Sequence, residues 1–228
     1  RAAESSGVPA LDDGVGELVH CGRTEGTGTN AVSQANEFVD SVLLQRMTAL
    51  VRETSEQLSL PSHFFRVHGT SLRNDDLEVD VISGRFKNFG NAVRRRGNCV
   101  HSMVAENVTI SCSLSIDGVV AELLAEWECE CWYGSKNYIH VDAPMCATTG
   151  LLEVTSARNK PAFLRTFLVD DSCFEVTHGD NNFLNSGRRN NFDSHISRYL
   201  GEQLQQKFYS YYEEKLEQAF SSLSFSMF

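Results

Sequence analysis

A strict alternation of apolar and polar residues in the middle of the chain limits its fold more than any other feature. From Asn107 to Ile116 every second residue is apolar, and the alternation resumes from Val119 to Cys131 after Asp117-Gly118. This period of two is typical of strands that bury one face. Asp-Gly favours a two-residue hairpin, so the sequence predicts that Ile116 pairs with Val119. The register that follows pairs Leu114 with Ala121, Cys112 with Leu123, Ile110 with Ala125 and Val108 with Trp127.

Further strands are predicted on both sides of this pair. The segment 77–82 alternates in the same way, and the glycines that follow it indicate a bent or bulged strand pair. Polar segments at 134–137 and 158–161 predict two more chain reversals. If the second reversal is tight, Cys146 lies nearly opposite Cys173, and we expect a disulfide between them. We interpret the carboxylates on one side of the second strand as a solvated outer face rather than acid–base machinery: Glu122, Glu126, Glu128 and Glu130.

Before these strands, apolar residues recur at steps of three and four from Val32 to Leu58, which predicts a long amphipathic helix. Asn30 or Ser33 could supply its N-cap, and Pro61 would end it. Residues 1–30 are rich in small and acidic residues without apolar period, and we expect a flexible leader. The length of 228 residues then favours one domain over residues 31–228.

Helical spacing returns near the end of the chain, from Phe192 to Leu223. Asp193 or Ser194 could cap this second amphipathic helix, which follows a polar loop predicted at 181–191. The sequence thus predicts a helix, a run of strands, and a second helix.

The seven cysteines are spread along the chain without paired C-x-x-C spacing, so disulfides explain them better than a structural zinc site. Core packing or disulfides also explain Cys129 and Cys131 better than a metal cluster with His140. The sequon at Asn107 predicts a glycosylation site in the same oxidising compartment. The chain is therefore expected to be secreted. One cysteine is left over, and Cys21 is the candidate.

The net charge of −10 excludes a general nucleic-acid role, because binding phosphates needs a basic surface. The single basic run, Arg94-Arg95-Arg96, is interpreted as a solvated loop rather than a contact for anions. No stretch has the length and apolarity of a membrane-spanning helix. No nucleophile elbow, zinc-protease pair, phosphate loop or dinucleotide fingerprint occurs, so binding without a cofactor or resident metal is favoured over catalysis.

The segment Leu77–Phe86, leading into Phe89-Gly90-Asn91, resembles the first long strand and glycine turn of the tubular lipid-binding superfamily. That superfamily includes the bactericidal/permeability-increasing proteins, the insect takeout and juvenile-hormone-binding proteins, and the group 7 mite allergens. The resemblance in element order spans 32–223 and is closest in size to the single-module allergens. The cysteine-rich strands also resemble secreted, salivary-type arachnid proteins.

The resemblance implies an α+β fold, in which a highly curved antiparallel sheet wraps a long amphipathic helix and a second, C-terminal helix packs beside it. It also implies non-covalent binding of a lipid or other hydrophobic molecule in a groove between sheet and helices. The residues expected to line that groove are Val39, Leu43, Leu50, Leu77, Val79, Leu123, Leu200, Leu204 and Phe208. The alternative is a protein-interaction module with a filled core, whose contact with a host or partner protein is the Arg94–Arg96 segment or the acidic strand face.

Overall fold

A helical segment stands at each end of the described chain. The computed structural model describes residues 25–52, 56–69, 75–104, 106–129, 136–157, 160–179 and 184–223. The N-terminal helical segment consists of α1 (Glu25–Asp40), a π-helical turn (Ser41–Arg46) and α2 (Met47–Leu50). The C-terminal helical segment consists of α3 (Ser186–Lys207), a second π-helical turn (Phe208–Tyr212) and α4 (Glu213–Ser221).

The N-terminal helical segment begins and ends earlier than predicted. It starts at Glu25, inside the expected leader, so Asn30 and Ser33 lie within the helix and do not cap it. It ends at Leu50 because Val51 adopts an extended backbone, and Leu58 lies in a separate 3₁₀ turn. The rest of the expected leader, with Cys21, lies outside the described residues.

The C-terminal helical segment also begins earlier than predicted. The Asn185 side chain accepts a hydrogen bond of 3.0 Å from the Arg188 N–H and so provides the N-cap. Asp193 and Ser194, the predicted caps, lie inside the helix. The second π-helical turn adds a residue per turn, and as a result both Tyr211 and Tyr212 are buried.

Within the described ranges, ten strands form two antiparallel sheets. The first sheet has the order β1-β2-β6-β7-β10, and the second has the order β3-β5-β8-β9 with β4 also paired to β5. The strands are β1 (His63–Val67), β2 (Leu77–Lys87), β3 (Val93–Arg95), β4 (Val100–Val104), β5 (Asn107–Ile116), β6 (Val120–Cys129), β7 (Asn137–Pro144), β8 (Thr148–Ala157), β9 (Phe163–Val169) and β10 (Thr177–His178).

The predicted pairing of Ile116 with Val119 is wrong, and so is the register built on it. β5 pairs with β3, β4 and β8 in the second sheet, whereas β6 pairs with β2 and β7 in the first. A type I′ turn needs positive φ at both central residues, but only Gly118 has it, at 78°. The Asp117 N–H donates to the Ala92 carbonyl instead, and the connection carries the chain from one sheet to the other.

The burial that the alternation predicted is confirmed in both strands. Every second residue of β5 is buried, and Ala121, Leu123 and Ala125 of β6 are buried as well. The predicted reversals are also confirmed, because β7 returns along β6 and β9 returns along β8. Parts of both connections, 130–135 and 158–159, lie outside the described residues.

The helices and both sheets share one hydrophobic core, to which Val39, Val79, Ile110 and Leu204 contribute from different elements. The predicted α+β class, with antiparallel strands and two long helical segments, is confirmed. Each helix in the described ranges lacks the combination of length and apolarity needed to cross a bilayer.

Candidate functional site

The residues expected to line a ligand groove meet in this common core. Val39 and Leu43 approach from the N-terminal helical segment, and the C-terminal helical segment supplies Leu200, Leu204 and Phe208. The first sheet adds Leu77, Val79 and Leu123. All eight are buried, with at most 4% exposure, and they pack against other side chains. Their contact with a ligand stays a prediction.

An aromatic cluster occupies the core around Phe208. The ring centroids of Phe89 and Phe208 lie 4.8 Å apart, and the Tyr212 ring lies 5.6 Å from both. Phe167 of β9 stacks on Tyr212 at 5.7 Å. Such contacts stabilise the core beyond the area they bury. Large side chains from the helix and the second sheet therefore fill this part of the interior.

The Tyr212 hydroxyl is an orphan in this cluster. Tyr212 is fully buried, and its oxygen has no hydrogen-bond partner among the described residues. Burial disfavours the phenolate and raises the pKa of Tyr212. A buried hydroxyl without a partner costs free energy, so it marks either a local defect or a place where a polar ligand atom would be accommodated. The apolar periodicity of the sequence does not indicate this unpaired hydroxyl.

Leu50, the ninth predicted lining residue, is only partly buried. It lines a cleft of about 290 Å³ between the two helical segments, together with Arg46, Ala49, Gln218, Ala219 and Ser222. Arg46 Nη1 donates to Ser222 Oγ at 2.6 Å across one end of this cleft. The cleft is at the small end of the range for ligand sites.

A shallow groove of about 660 Å³ crosses the outer face of the first sheet. It lies where the register of β2 against β6 shifts, between Val81 and Ser83. A Cβ atom at Gly84 would lie within 2.9 Å of Glu122 O and Leu123 Cβ, so only glycine fits there. The remaining lining residues are Ser83, Arg85, Leu124, His140, Val141 and Asp142.

Cations from β2 surround Glu122 at the edge of this groove. Lys87 Nζ contacts one carboxylate oxygen, and Arg85 Nη2 lies 3.5 Å from the other. The hydrogen bond from Lys87 is the main reason that the pKa of Glu122 is lowered. Glu126 is similarly bound by Lys136 at 2.5 Å, and that hydrogen bond lowers its pKa. Glu130, the last of the four glutamates predicted on the outer face of the second strand, lies outside the described residues.

A third concavity, of about 620 Å³, lies between α3 and the segment 171–176. At its wall His178 Nε2 is 3.1 Å from Asp193 Oδ1, and burial raises the pKa of Asp193. Ser194 Oγ donates to Asn190 O, and Ser197 Oγ contacts the Phe174 carbonyl. Both hydroxyls therefore form hydrogen bonds with backbone carbonyl groups, whereas the hydroxyl of a nucleophile would have to donate to a base.

Two disulfides join cysteines of the described part of the chain. Cys146 is bonded to Cys173, the pair that the sequence predicts, with 5.3 Å between their Cα atoms. Cys99 is bonded to Cys112, a pairing not predicted from the sequence. Cys131 lies outside the described residues. Within the described residues, no group of three potential metal ligands is brought together.

The basic run does not form the predicted solvated loop. Arg94 and Arg95 belong to β3, and Arg95 makes a two-point ion pair with Asp40 of α1, with distances of 3.0 and 2.7 Å. Arg95 therefore ties the N-terminal helical segment to the second sheet. Asn107 is exposed at the start of β5, and its glycosylation stays a prediction.

No family model matches the chain. Among solved structures, lipopolysaccharide binding protein has a TM-score of 0.38 and 11% identity; the alignment covers 82% of this chain but only 40% of that one. Takeout 1 of Epiphyas postvittana has a TM-score of 0.29 and 12% identity, with 79% and 84% of the two chains covered. At these TM-scores neither likeness bears on function.

A relative in sequence is much more informative. The salivary anticoagulant protein P23 of Ixodes scapularis is 33% identical over 201 residues, which cover 85% of this chain and 90% of that protein. This relative confirms the resemblance to salivary arachnid proteins. The chain belongs to the same family as the salivary anticoagulant protein P23 of Ixodes scapularis.

Proposed function

We propose that this chain is a secreted, non-enzymatic protein that inhibits blood coagulation by binding a macromolecular partner. The observation that carries the proposal is the 33% sequence identity to salivary anticoagulant protein P23, over 85% of this chain and 90% of that protein. Two disulfides support secretion, because such bonds persist in oxidising compartments. The closely packed core supports binding through the surface.

A plasma clotting assay tests this proposal. The protein, purified from a eukaryotic secretory host, is added to recalcified plasma over a range of concentrations. We expect clotting time to lengthen with dose and the effect to be independent of preincubation time, since a binder acts stoichiometrically. A protein that leaves clotting time unchanged at a large excess over the clotting factors would contradict the proposal. An effect that grows steadily with preincubation would instead indicate an enzyme.

A hydrophobic ligand in the interior is the second candidate function. Support for it comes from the orphan Tyr212 hydroxyl inside the aromatic cluster, beside the predicted lining residue Phe208. An amphipathic ligand whose polar atom forms a hydrogen bond with this hydroxyl would remove the free-energy cost of burying it without a partner. Each buried CH₂ group would contribute roughly 0.8 kcal/mol, so a half-buried acyl chain would bind at micromolar concentration.

Native mass spectrometry of the secreted protein tests the second candidate. A co-purifying lipid near one per chain, identified after organic extraction, would support it. The substitution Leu204→Arg should then abolish uptake, and uptake that persists in the folded variant would contradict the predicted lining. A clean mass, with no uptake from a panel of fatty acids and sterols, would leave partner binding as the function.

A further inference from the structure

Three pairs of carboxylates face each other directly across neighbouring strands on the outer face of the first sheet. Glu78 lies opposite Glu128 and Asp80 opposite Glu126 between β2 and β6, and Glu122 lies opposite Asp142 between β6 and β7. We name these six residues the acidic face. Like charges in directly opposed positions destabilise a sheet. The fold therefore carries a cost here that strand packing does not explain.

Only one carboxylate of each pair is neutralised. Arg66 contacts Glu78 at 2.5 Å, Lys136 contacts Glu126 at 2.5 Å, and Glu122 receives Lys87 and Arg85. The three carboxylates that remain, Asp80, Glu128 and Asp142, have no ion-pair partner among the described residues. The face thus offers three carboxylates without an ion pair, of which Glu128 also interacts with the more distant charge of Lys136.

Exposed aromatic side chains stand at both ends of the central pair. Phe64 of β1 lies opposite Asp80, and Tyr138 of β7 lies opposite Glu126, so the four form one line across four strands. At the usual strand spacing this line is about 14 Å long. Phe64 and Tyr138 are each 57% exposed, and Ile82 on the same face is 42% exposed. Exposed aromatic residues are typical anchors of protein interfaces, and their rings also attract lysine and arginine side chains.

We propose that the acidic face binds a lysine- or arginine-rich segment of a partner protein. Cationic side chains of that segment would neutralise Asp80, Glu128 and Asp142, and its apolar atoms would cover Phe64 and Tyr138. The groove at Gly84, beside the central line, gives room for side chains of the partner. The inference rests on the proposed function and deepens it, because it names the surface and the chemistry of the partner.

A triple variant tests the inference. Asp80→Asn, Glu128→Gln and Asp142→Asn remove these three charges and leave the ion pairs of Glu78, Glu122 and Glu126 in place. The matched control is Glu37→Gln, Glu106→Gln and Glu202→Gln, which changes net charge equally at exposed positions outside the first sheet. The probe is a fluorescein-labelled oligolysine peptide, compared with the same peptide carrying glutamine at each lysine, at about 0.15 M salt.

We expect the wild-type protein and the control to bind oligolysine alike, and the triple variant to bind it about tenfold more weakly or worse. The melting temperature of the triple variant should rise, whereas that of the control stays unchanged, because only the former relieves repulsion between opposed carboxylates. Should the triple variant fold poorly, Asp142→Asn alone and Phe64→Ser serve as separate tests of charge and aromatic anchor.

Equal oligolysine affinity in all three proteins would overturn the inference. Binding to phosphatidylserine vesicles in place of the peptide would also overturn it, since an acidic face repels an anionic membrane. The peptide assay is done in buffer, so its failure is distinguishable from failure of the proposed function, which the plasma assay reports.

Discussion

At the scale of single residues, two buried tyrosines on the C-terminal helical segment differ in one hydrogen bond. The Tyr199 hydroxyl donates to the Pro61 carbonyl at 2.5 Å, whereas the Tyr212 hydroxyl has no partner within the described residues. Burial raises the pKa of Tyr199 to about 12 and raises that of Tyr212 as well. Both hydroxyls are therefore neutral at physiological pH, and only the contacts of the hydroxyl distinguish them.

Removing the two hydroxyls should change stability in opposite directions. Tyr212→Phe should raise the free energy of unfolding by about 1 kcal/mol, because it deletes an unsatisfied buried group. Tyr199→Phe should lower it by about 1 kcal/mol, because Pro61 O loses its donor. Urea unfolding of both variants measures this. A fall in stability for Tyr212→Phe in protein from a secretory host would show that something bound satisfies the hydroxyl.

Glu122 gives a pH-dependent prediction. Its pKa in the folded protein is lowered, first of all by the hydrogen bond from Lys87. The stability gained is therefore present above the unfolded pKa near 4.5 and is lost as pH falls through the lower folded pKa. Glu122→Gln should cost no more than about 1 kcal/mol at pH 7, since the pair is partly exposed. The difference from wild type should vanish in acid, and melting curves across this range would reveal a difference that persists.

At the scale of elements, the start of α3 shows how a cap differs from a residue that only resembles one. Asn185 accepts from the Arg188 N–H, so it satisfies a helix donor that would otherwise be free. Ser194 lies a few turns into the helix, and its hydroxyl donates back to the Asn190 carbonyl. The first turns of α3 are polar, and the apolar period begins only at Phe192. The period therefore does not indicate that the helix starts at Ser186.

Alanine substitution separates these two roles. Asn185→Ala should lower the free energy of unfolding by about 1 kcal/mol through loss of the cap. Ser194→Ala should leave it unchanged or raise it slightly, because hydroxyls that bond back to the helix are mildly unfavourable. Chemical denaturation of the two variants is the measurement. Equal losses in both would show that Asn185 does not cap the helix in solution.

At the scale of the whole molecule, the two sheets and both helical segments are joined by one core. Arg95 and Asp40 link the N-terminal helical segment to the second sheet, while Tyr199 and Pro61 link the C-terminal helical segment to the chain before β1. The disulfide between Cys146 and Cys173 ties the connection between β7 and β8 to the segment after β9. We therefore expect one cooperative unit.

Chemical denaturation should show that the protein unfolds as one cooperative unit. Far-ultraviolet circular dichroism reports the helices and strands, and tryptophan fluorescence reports Trp127, which packs against the core, together with Trp132. We expect the two signals to change at the same denaturant concentration, as for a two-state domain. Two separated midpoints would mean that the two sheets unfold independently.

Much of the candidate site could be predicted from the sequence. The features that could not be predicted depend on contacts between different elements of the fold. Periodicity correctly placed Val39, Leu123 and Leu204 in the interior, and it placed the glutamates of β6 on the outer face. It did not reveal that Asp80 faces Glu126, because β2 and β6 are distant in sequence. Nor did it reveal that Phe64 and Tyr138 flank them, because that depends on the exact register of β1 on β2 and of β6 on β7. The Tyr212 hydroxyl was missed because its lack of a partner depends on all its neighbours.

The sequence by itself determined which face of the predicted strands and helices is buried, since periods of two and of three to four follow from backbone geometry alone. It also indicated the α+β order and the pairing of Cys146 with Cys173. Beyond the two reversals that join β6 to β7 and β8 to β9, only the tertiary structure decided which strands are neighbours. Any two alternating strands offer apolar faces that match, so Ile116 and Val119 satisfied the pattern without pairing. The strands pair so that both sheets and the helices bury their apolar faces in one core. That requirement involves the whole chain, so no local segment of the sequence reveals it.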